Sequence, residues 1–179
     1  MYDRDSSACE TRDGSTLADP WRRHVLDSAQ LYRHLPDRGG GLVDLGSGAG
    51  FPGLVLAILG APDVHLIESD RRKAQFLREA ARVTGTPATV HARRIEEVAP
   101  FPAATVTARA LAPLPKLLDY AEPFLAPETV CLFLKGAGAK EELDSVCRNW
   151  QTEAEVLPSR ADPSGVIVRL AQVRRVRHG

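Results

Sequence analysis

The amino-acid sequence predicts an α/β domain built on a doubly wound, mainly parallel sheet of seven strands that ends in an antiparallel hairpin. Short apolar segments alternate with segments of helical periodicity, which is typical of a parallel sheet with helices on both faces. A glycine-rich turn joins the first apolar segment to the helix that follows it. The last two apolar segments have no helix between them, which predicts the hairpin.

The first helix is predicted from apolar residues that recur at helical spacing, and Pro36 ends the run. These residues are Leu17, Trp21, Val25, Ser28, Leu31, Tyr32 and Leu35. Residues 1–20 are rich in Asp, Ser, Thr and Gly, so we expect them to be poorly structured. We therefore expect residues 21–179 to form the one domain of the chain.

The remaining elements are read from apolar runs and from helix signals. Predicted strands cover residues 42–45, 64–68, 89–92, 105–108, 130–134, 153–157 and 165–173, and predicted helices cover 52–59, 71–84, 114–125 and 140–150. Asp70 is expected to cap the second of these helices and Gly85 to end it. Phe76, Leu77, Ala80 and Ala81 are its expected buried face, and Pro123 should shorten the third helix.

Composition limits the classes of function. Lys plus Arg equals Asp plus Glu at 23 each, so nucleic-acid binding would need a local basic face. Three cysteines, Cys9, Cys131 and Cys147, lack a C-x-x-C pair, which argues against a disulfide framework or a zinc site. Without an apolar run of membrane length or a signal peptide, we expect a cytoplasmic protein that makes no membrane contact.

The strongest signal for a ligand site is the turn VDLGSGAGFPG at residues 43–53. Glycines let the backbone turn sharply and lie close to a ligand. Gly48, Gly50 and Gly53 satisfy the dinucleotide pattern G-x-G-x-x-G, but Asp44 ahead of the turn gives D-x-G-x-G-x-G, the pattern of class I methyltransferases. Glu68, at the end of the second strand, can accept hydrogen bonds from ribose hydroxyls of either nucleoside ligand.

Four segments together resemble the 16S rRNA guanine-N7 methyltransferase family, also called glucose-inhibited division protein B. They are RHVLDS at residues 23–28, DLGSGAGFPG at 44–53, RALA at 109–112 and LKG at 134–136. The resemblance runs from about Trp21 to the C-terminus, and it departs ahead of Trp21, where members usually carry a longer helical stretch. It implies a class I, Rossmann-like fold and S-adenosylmethionine as cofactor.

The resemblance also implies which residues form the site. Cofactor contacts are expected at Gly46, Gly48, Phe51, Glu68, Ile95, Glu96 and Arg109. Arg109 and Lys135 are the residues expected to act in catalysis, since both end strands beside the substrate cleft. A guanidinium at Arg109 suits a carboxylate of the cofactor or the RNA through a paired planar contact.

The implied reaction is methylation of a guanine, at position 527 by family resemblance, in 16S rRNA within the small ribosomal subunit or an assembly intermediate. N7 of guanine already carries a lone pair, so no general base is needed, and positioning and fixed dipoles should supply the rate. For His24 and Asp27, an acid–base role and a packing role stay equally open. The other histidines, His34, His65, His91 and His178, show no metal-ligand spacing and are interpreted as structural or exposed.

Basic clusters that could hold RNA phosphates are Arg22-Arg23-His24, Arg71-Arg72-Lys73, Arg93-Arg94, and Arg174-Arg175 with Arg177. Because the net charge is zero, we expect weak binding to naked RNA. A monomer is the default expectation for the oligomeric state. The sequence leaves three alternatives open: a methyltransferase acting on another substrate, a noncatalytic nucleotide- or RNA-binding assembly factor, and an NAD-dependent oxidoreductase.

Overall fold

A computed structural model describes residues 21–37 and 39–176. Seven strands form a single sheet in the order β3-β2-β1-β4-β5-β7-β6. β1 to β5 run parallel to one another, whereas β7 pairs antiparallel with both β5 and β6. The predicted fold class is therefore confirmed. The expectations for residues 1–20, Cys9, Arg177 and His178 lie outside the described residues.

The elements follow the predicted order. The strands are β1 (Leu42–Leu45), β2 (Val64–Ile67), β3 (Ala88–His91), β4 (Thr105–Arg109), β5 (Val130–Lys135), β6 (Trp150–Pro158) and β7 (Val166–Arg175). Helix α1 (residues 21–34) begins as a π-helix, and it is followed by α2 (Gly53–Ile58), α3 (Arg71–Val83), α4 (Leu114–Ala121) and α5 (Ala139–Val146). A 3-10 turn, Ile95–Glu97, follows β3, and another, Glu122–Phe124, extends α4.

In helix α3, local sequence signals determine where the helix begins and ends. The Asp70 carboxylate accepts hydrogen bonds from the backbone N–H groups of Arg72 and Lys73, as a helix N-cap does. Gly85 follows the helix with φ +63°, a conformation that favours glycine. The predicted buried face is wrong at one position: Phe76 is 54% exposed, because the face of α3 that packs on the sheet runs through Ala74, Leu77 and Ala81.

Two other boundaries differ from the prediction. Helix α5 ends at Val146, and Trp150 begins β6 instead of ending the helix. The Trp150 side chain is buried and Arg175 stacks over its ring, which fixes the residue in the sheet. Pro123 shortens α4 as expected, and the chain continues there as a 3-10 turn.

Apolar side chains form a core on each face of the sheet. Helices α1, α2 and α3 cover one face, where the buried residues include Leu31, Leu54, Leu56, Leu66, Leu77 and Ala81. Helices α4 and α5 cover the other face, with Val43, Leu45, Leu114, Leu117, Phe124 and Phe133. Among the described residues, no helix is both long and apolar enough to cross a bilayer. Both faces are covered, so a ligand site is expected at the carboxyl ends of the strands.

Candidate active site

Two neighbouring cavities open at the carboxyl ends of the parallel strands. One, of about 370 Å³, lies over the ends of β1 and β2 and beside the turn after β3. The other, of about 320 Å³, lies between the ends of β4 and β5, helix α1 and the loop from β6 to β7. Arg109 and Ala110 line both cavities, so the two spaces meet at the end of β4.

The glycine-rich turn is held in place by a buried carboxylate. Asp44 Oδ1 accepts a hydrogen bond from the Thr107 hydroxyl at 2.8 Å, and Oδ2 accepts one from the Gly53 N–H at 3.2 Å. Burial raises the pKa of Asp44 to about 6, although these hydrogen bonds act in the opposite direction. The turn packs so tightly on β1 that a Cβ added at Gly53 would lie 2.5 Å from the Asp44 Cβ.

Gly46 and Gly48 give the turn its shape. Their φ angles are +65° and +56°, so both positions favour glycine. A Cβ added at Gly48 would meet nothing nearer than 3.8 Å, which leaves the backbone there open to the cavity. At Gly46, an added Cβ would lie 2.8 Å from the Leu111 side chain. The predicted turn is therefore present, and its open side faces the first cavity.

Glu68 connects the turn to the end of β2. Its Oε2 accepts a hydrogen bond from the Gly48 N–H and its Oε1 accepts one from the Asp70 N–H, both at 2.8 Å. The side chain is buried, yet it lines the first cavity. A carboxylate has about four acceptor positions. Glu68 can therefore bind two ligand hydroxyls and still keep its backbone contacts.

The first cavity brings together six of the seven residues predicted to bind the cofactor: Gly46, Gly48, Glu68, Ile95, Glu96 and Arg109. Leu111 and Tyr120 also line it and were not predicted. Both come from the segment after β4; Leu111 lies in the RALA segment without having been predicted to contact the cofactor, and no motif marks Tyr120. Lys73, Arg93 and Arg94 add positive charge to the cavity wall.

Phe51 does not line the first cavity. Its ring stacks on the His24 imidazole with centroids 5.2 Å apart, and the Arg109 guanidinium carbon lies 5.8 Å from its ring centre. On its other side Phe51 lines an apolar groove between α1, α2 and α3. Direct contact of Phe51 with the cofactor stays a prediction, and in the structure Phe51 supports two side chains that lie at the second cavity.

The two terminal guanidinium nitrogens of Arg109, Nη1 and Nη2, differ in their hydrogen bonding. Nη2 hydrogen-bonds Nδ1 of His24, so this His24 nitrogen acts as the acceptor. Nη1 is buried, and within the described residues it has no hydrogen-bond partner. A buried N–H of a guanidinium that lacks an acceptor is costly. The arrangement is suited to a ligand that brings an acceptor oxygen or nitrogen to the junction of the two cavities.

Asp27, in the second cavity, is held in place by two hydrogen bonds. Its Oδ1 accepts hydrogen bonds from the Gln30 amide at 2.7 Å and the Ser159 hydroxyl at 3.0 Å. Burial raises the pKa of Asp27 above its usual value, whereas the Ser159 hydrogen bond and Arg109 act to lower it. The sequence left Asp27 open between an acid–base role and a packing role, whereas Ser159 was not predicted and no local signal marks it.

Lys135 lines the second cavity, and most of its hydrogen-bonding capacity is used within the protein. Its ammonium lies 2.7 Å from Glu142 Oε2 and 3.1 Å from the Ala112 carbonyl. Glu142 also accepts a hydrogen bond from the Leu114 N–H at 2.7 Å. An ammonium has three donors, so one remains for a ligand. Lys135 thus positions the loop after β4, and its catalytic role stays a prediction.

The basic residues of the predicted clusters lie at different parts of the molecule. Arg23 lies at the second cavity, whereas Lys73, Arg93 and Arg94 lie at the first. Arg175 is bound by Glu122 and Asp119. His65 and His91 hydrogen-bond each other at 2.9 Å beside Phe101, which fits a structural role. The described residues contain no cluster of His, Cys, Asp and Glu that could hold a metal.

Known structures share this fold at low sequence identity. A ribosomal protein L11 methylase from Lactobacillus delbrueckii subsp. bulgaricus superposes with a TM-score of 0.67 at 16% identity, covering 81% of this chain and 76% of that one. TYW2 from M. jannaschii, solved in complex with AdoMet, gives 0.65 at 17% identity over 84% of this chain and 76% of its own. The fold is that of the class I S-adenosylmethionine-dependent methyltransferases.

Curated relatives are far more similar in sequence. A ribosomal RNA small subunit methyltransferase G from Rhodospirillum centenum is 60% identical over 159 residues, which cover 89% of this chain and 74% of the relative. Its counterpart from Paramagnetospirillum magneticum is 57% identical over 162 residues, covering 90% and 79%. A family profile, described as GidB, rRNA small subunit methyltransferase G, matches residues 13–161. The chain therefore belongs to the GidB family, the rRNA small subunit methyltransferases G.

Proposed function

We propose that this chain transfers a methyl group from S-adenosylmethionine to N7 of a guanine in 16S rRNA, the guanine at position 527 by family resemblance. The observation that carries the proposal is the pair of cavities that meet at Arg109. One cavity suits the cofactor and the other a single flipped-out base. The relatives named rRNA small subunit methyltransferase G supply the RNA substrate.

The first cavity has the groups that S-adenosylmethionine requires. The open backbone at Gly48 allows close approach of the ligand, and the two remaining acceptor positions of Glu68 suit the hydroxyls of a ribose. Ile95 can cover the adenine, and the polar turn at Glu96 can bind its edge. The buried Nη1 of Arg109 can donate to the cofactor carboxylate or to the RNA. The residues present therefore fit this cofactor.

When bound, S-adenosylmethionine supplies a methyl group whose bond to sulfur breaks, with its electron pair kept by sulfur, as N7 forms the new bond. Positive charge thereby passes to the purine, and no proton has to be removed from N7. The chain's own residues hold the base in line, exclude water and provide fixed negative charge near the purine. The second cavity meets the requirement for fixed charge, because hydrogen bonds hold its ionisable groups in place.

The RNA is expected to be recognised within the small ribosomal subunit or one of its assembly intermediates. Arg23, Arg93 and Arg94 lie at the cavities and can contact phosphates, while net charge across the chain is zero. We therefore expect the chain to bind naked 16S rRNA weakly. We also propose that it is a cytoplasmic monomer. Equal methylation of a short naked RNA and of the subunit would contradict this expectation.

Methyl transfer to small subunits tests the proposal. Subunits from cells that lack this gene are incubated with the full chain and methyl-labelled S-adenosylmethionine, and 7-methylguanine in 16S rRNA is mapped by chain cleavage. Label is expected at a single guanine. S-adenosylhomocysteine at about 100 times its Kd should stabilise the chain by about 2.7 kcal/mol, and NAD should not. RNA binding without label transfer would indicate a noncatalytic factor and overturn the proposal.

A further inference from the structure

The second cavity holds a carboxylate whose position is fixed by its neighbours. Ser159 Oγ accepts hydrogen bonds from the N–H groups of Ala161 at 3.0 Å and Asp162 at 3.2 Å, so its own proton is left for Asp27. Gln30 Oε1 accepts the Arg160 N–H at 2.8 Å, which orients the Gln30 amide to donate to Asp27. Both neighbours therefore donate to Asp27. The Gln30 amide also donates to Ser159 Oγ at 2.9 Å, which ties the two neighbours together.

Only one oxygen of Asp27 is used in this network. Gln30 and Ser159 both bind Oδ1, and within residues 21–37 and 39–176 no hydrogen bond to Oδ2 is found, so Oδ2 can accept from a ligand in the cavity. The other carboxylate of the cavity, Asp162, differs from Asp27 because its Oδ1 caps its own loop through Ser164. Those bonds lower the pKa of Asp162, whereas burial raises the pKa of Asp27. Asp27 is thus the partly buried carboxylate that lines the second cavity and can bind a ligand there.

Guanine presents two adjacent donors, N1–H and the 2-amino group, on the edge opposite N7. Adenine presents an acceptor at N1 and carries no 2-amino group. A carboxylate oxygen therefore attracts the guanine edge and repels the adenine edge. When N7 faces the first cavity, this donor edge points away from that cavity and into the second.

We propose that Asp27 reads the target base: its carboxylate accepts hydrogen bonds from N1–H and the 2-amino group of guanine and so holds N7 toward the cofactor cavity. This inference rests on the proposed function. The contact also strengthens during the reaction, because the purine becomes positive as N7 is methylated. Asp27 then stabilises the transition state more than the bound substrate, which raises kcat and not only affinity.

The test compares guanosine with inosine, which keeps N1–H and N7 but lacks the 2-amino group. Small subunits are reconstituted on 16S rRNA ligated with either nucleoside at the target position. The wild-type chain should methylate guanosine roughly 10–100 times faster than inosine. In Asp27→Asn this ratio should fall at least about fivefold, because a charged acceptor is replaced by a neutral one. Filter binding of the S-adenosylhomocysteine complex to both subunits gives the same preference without turnover.

Asp162→Asn is the matched control, since it removes the same charge from the same cavity. Its guanosine-to-inosine ratio should stay within about twofold of wild type, whatever its absolute rate. Should Asp27→Asn fail to bind S-adenosylhomocysteine, Ser159→Ala, which removes the donor that orients Asp27, should still lower the ratio roughly threefold.

Equal rates on guanosine and inosine by the wild-type chain, or an unchanged ratio in a folded Asp27→Asn variant, would overturn the proposal. A wild-type chain that methylates neither nucleoside would instead refute the proposed function. The two failures are therefore distinguishable in one set of reactions.

Discussion

The two cavities of the site are built in different ways. The first is formed largely by short segments directly after β1, β2 and β3, such as Gly46–Gly48 and Ile95–Glu96. The second is formed by side chains from α1, β4, β5 and the loop between β6 and β7. The first cavity therefore depends on local chain geometry, and the second depends on the packing of distant elements. Arg109 is the side chain that serves both.

The largest effect is expected where the cavities meet. Arg109→Gln removes the unpartnered Nη1 donor and the hydrogen bond to His24. Methyl transfer to small subunits should fall about 100-fold, because without Arg109 the cofactor and the base are no longer held in line where the cavities meet. S-adenosylhomocysteine affinity, measured by calorimetry, should fall about tenfold.

Arg82→Gln is the control for this change, because Arg82 is exposed on α3 and pairs with Glu79. It should leave the transfer rate unchanged. An Arg109→Gln variant that keeps more than about a tenth of wild-type transfer would show that the cavities do not depend on this shared side chain.

The stability of the fold is expected to depend on pH through Asp44, the buried carboxylate that holds the glycine-rich turn at the first cavity. Asp44 has a pKa of about 6 in the folded chain and an ordinary value of 3.8, so the folded state binds its proton more tightly. Stability from this group is complete below pH 4 and is lost as pH rises through 6. The loss approaches about 3 kcal/mol at neutral pH, at 1.36 kcal/mol for each pH unit.

Asp44→Asn removes this titration while keeping a hydrogen-bonding side chain beside Thr107 and Gly53. The free energy of unfolding of the variant minus that of wild type should therefore rise between pH 4 and pH 7. Urea unfolding at four pH values measures this difference, in which the other titrating groups cancel. A difference that stays flat across the range would mean that Asp44 ionises in the folded chain as it does in water.

The contrast between the cavities also explains what the sequence could predict. The glycine turn and Glu68 each lie next to a strand end, so a motif and its neighbouring strand were enough to predict them, whereas Ile95 and Glu96 were implied by the family resemblance. The same local signals predicted the sheet and the cap at Asp70. Phe51 lies in the same motif but turns toward His24, because the turn presents its backbone and not this side chain to the first cavity.

The local sequence around the residues of the second cavity hardly predicts that they form a site. Asp27 and Ser159 are separated by 132 positions, and neither residue indicates the other in the sequence. Lys135 was recognised from its place at a strand end, but its partner Glu142 depends on how α5 packs against the loop after β4. Tertiary packing likewise moved Trp150 from a predicted helix into β6. Contacts of this kind require the folded chain.

A pair of glycine substitutions tests the dependence of the first cavity on tight packing. Gly53→Ala places a Cβ 2.5 Å from the Asp44 Cβ and 2.6 Å from Leu66 Cδ2, so we expect destabilisation of about 3 kcal/mol. Gly85→Ala adds strain at φ +63° with nothing within 4 Å, and it should cost about 1 kcal/mol. Urea unfolding measures both, and equal costs would indicate that the turn relaxes away from β1.

The smallest effect is expected at Lys135, which belongs to the second cavity alone. Lys135→Gln removes a charge-assisted contact to Glu142 and the remaining donor to a ligand. Methyl transfer should fall about tenfold, corresponding to about 1.4 kcal/mol. The affinity for S-adenosylhomocysteine should change less than about twofold, because Lys135 does not line the first cavity. Lys140→Gln, at an exposed lysine on α5, is the matched control and should match wild type. A parallel loss of cofactor affinity in Lys135→Gln would show that the loop after β4 couples the two cavities, so that they could no longer be treated as separately built.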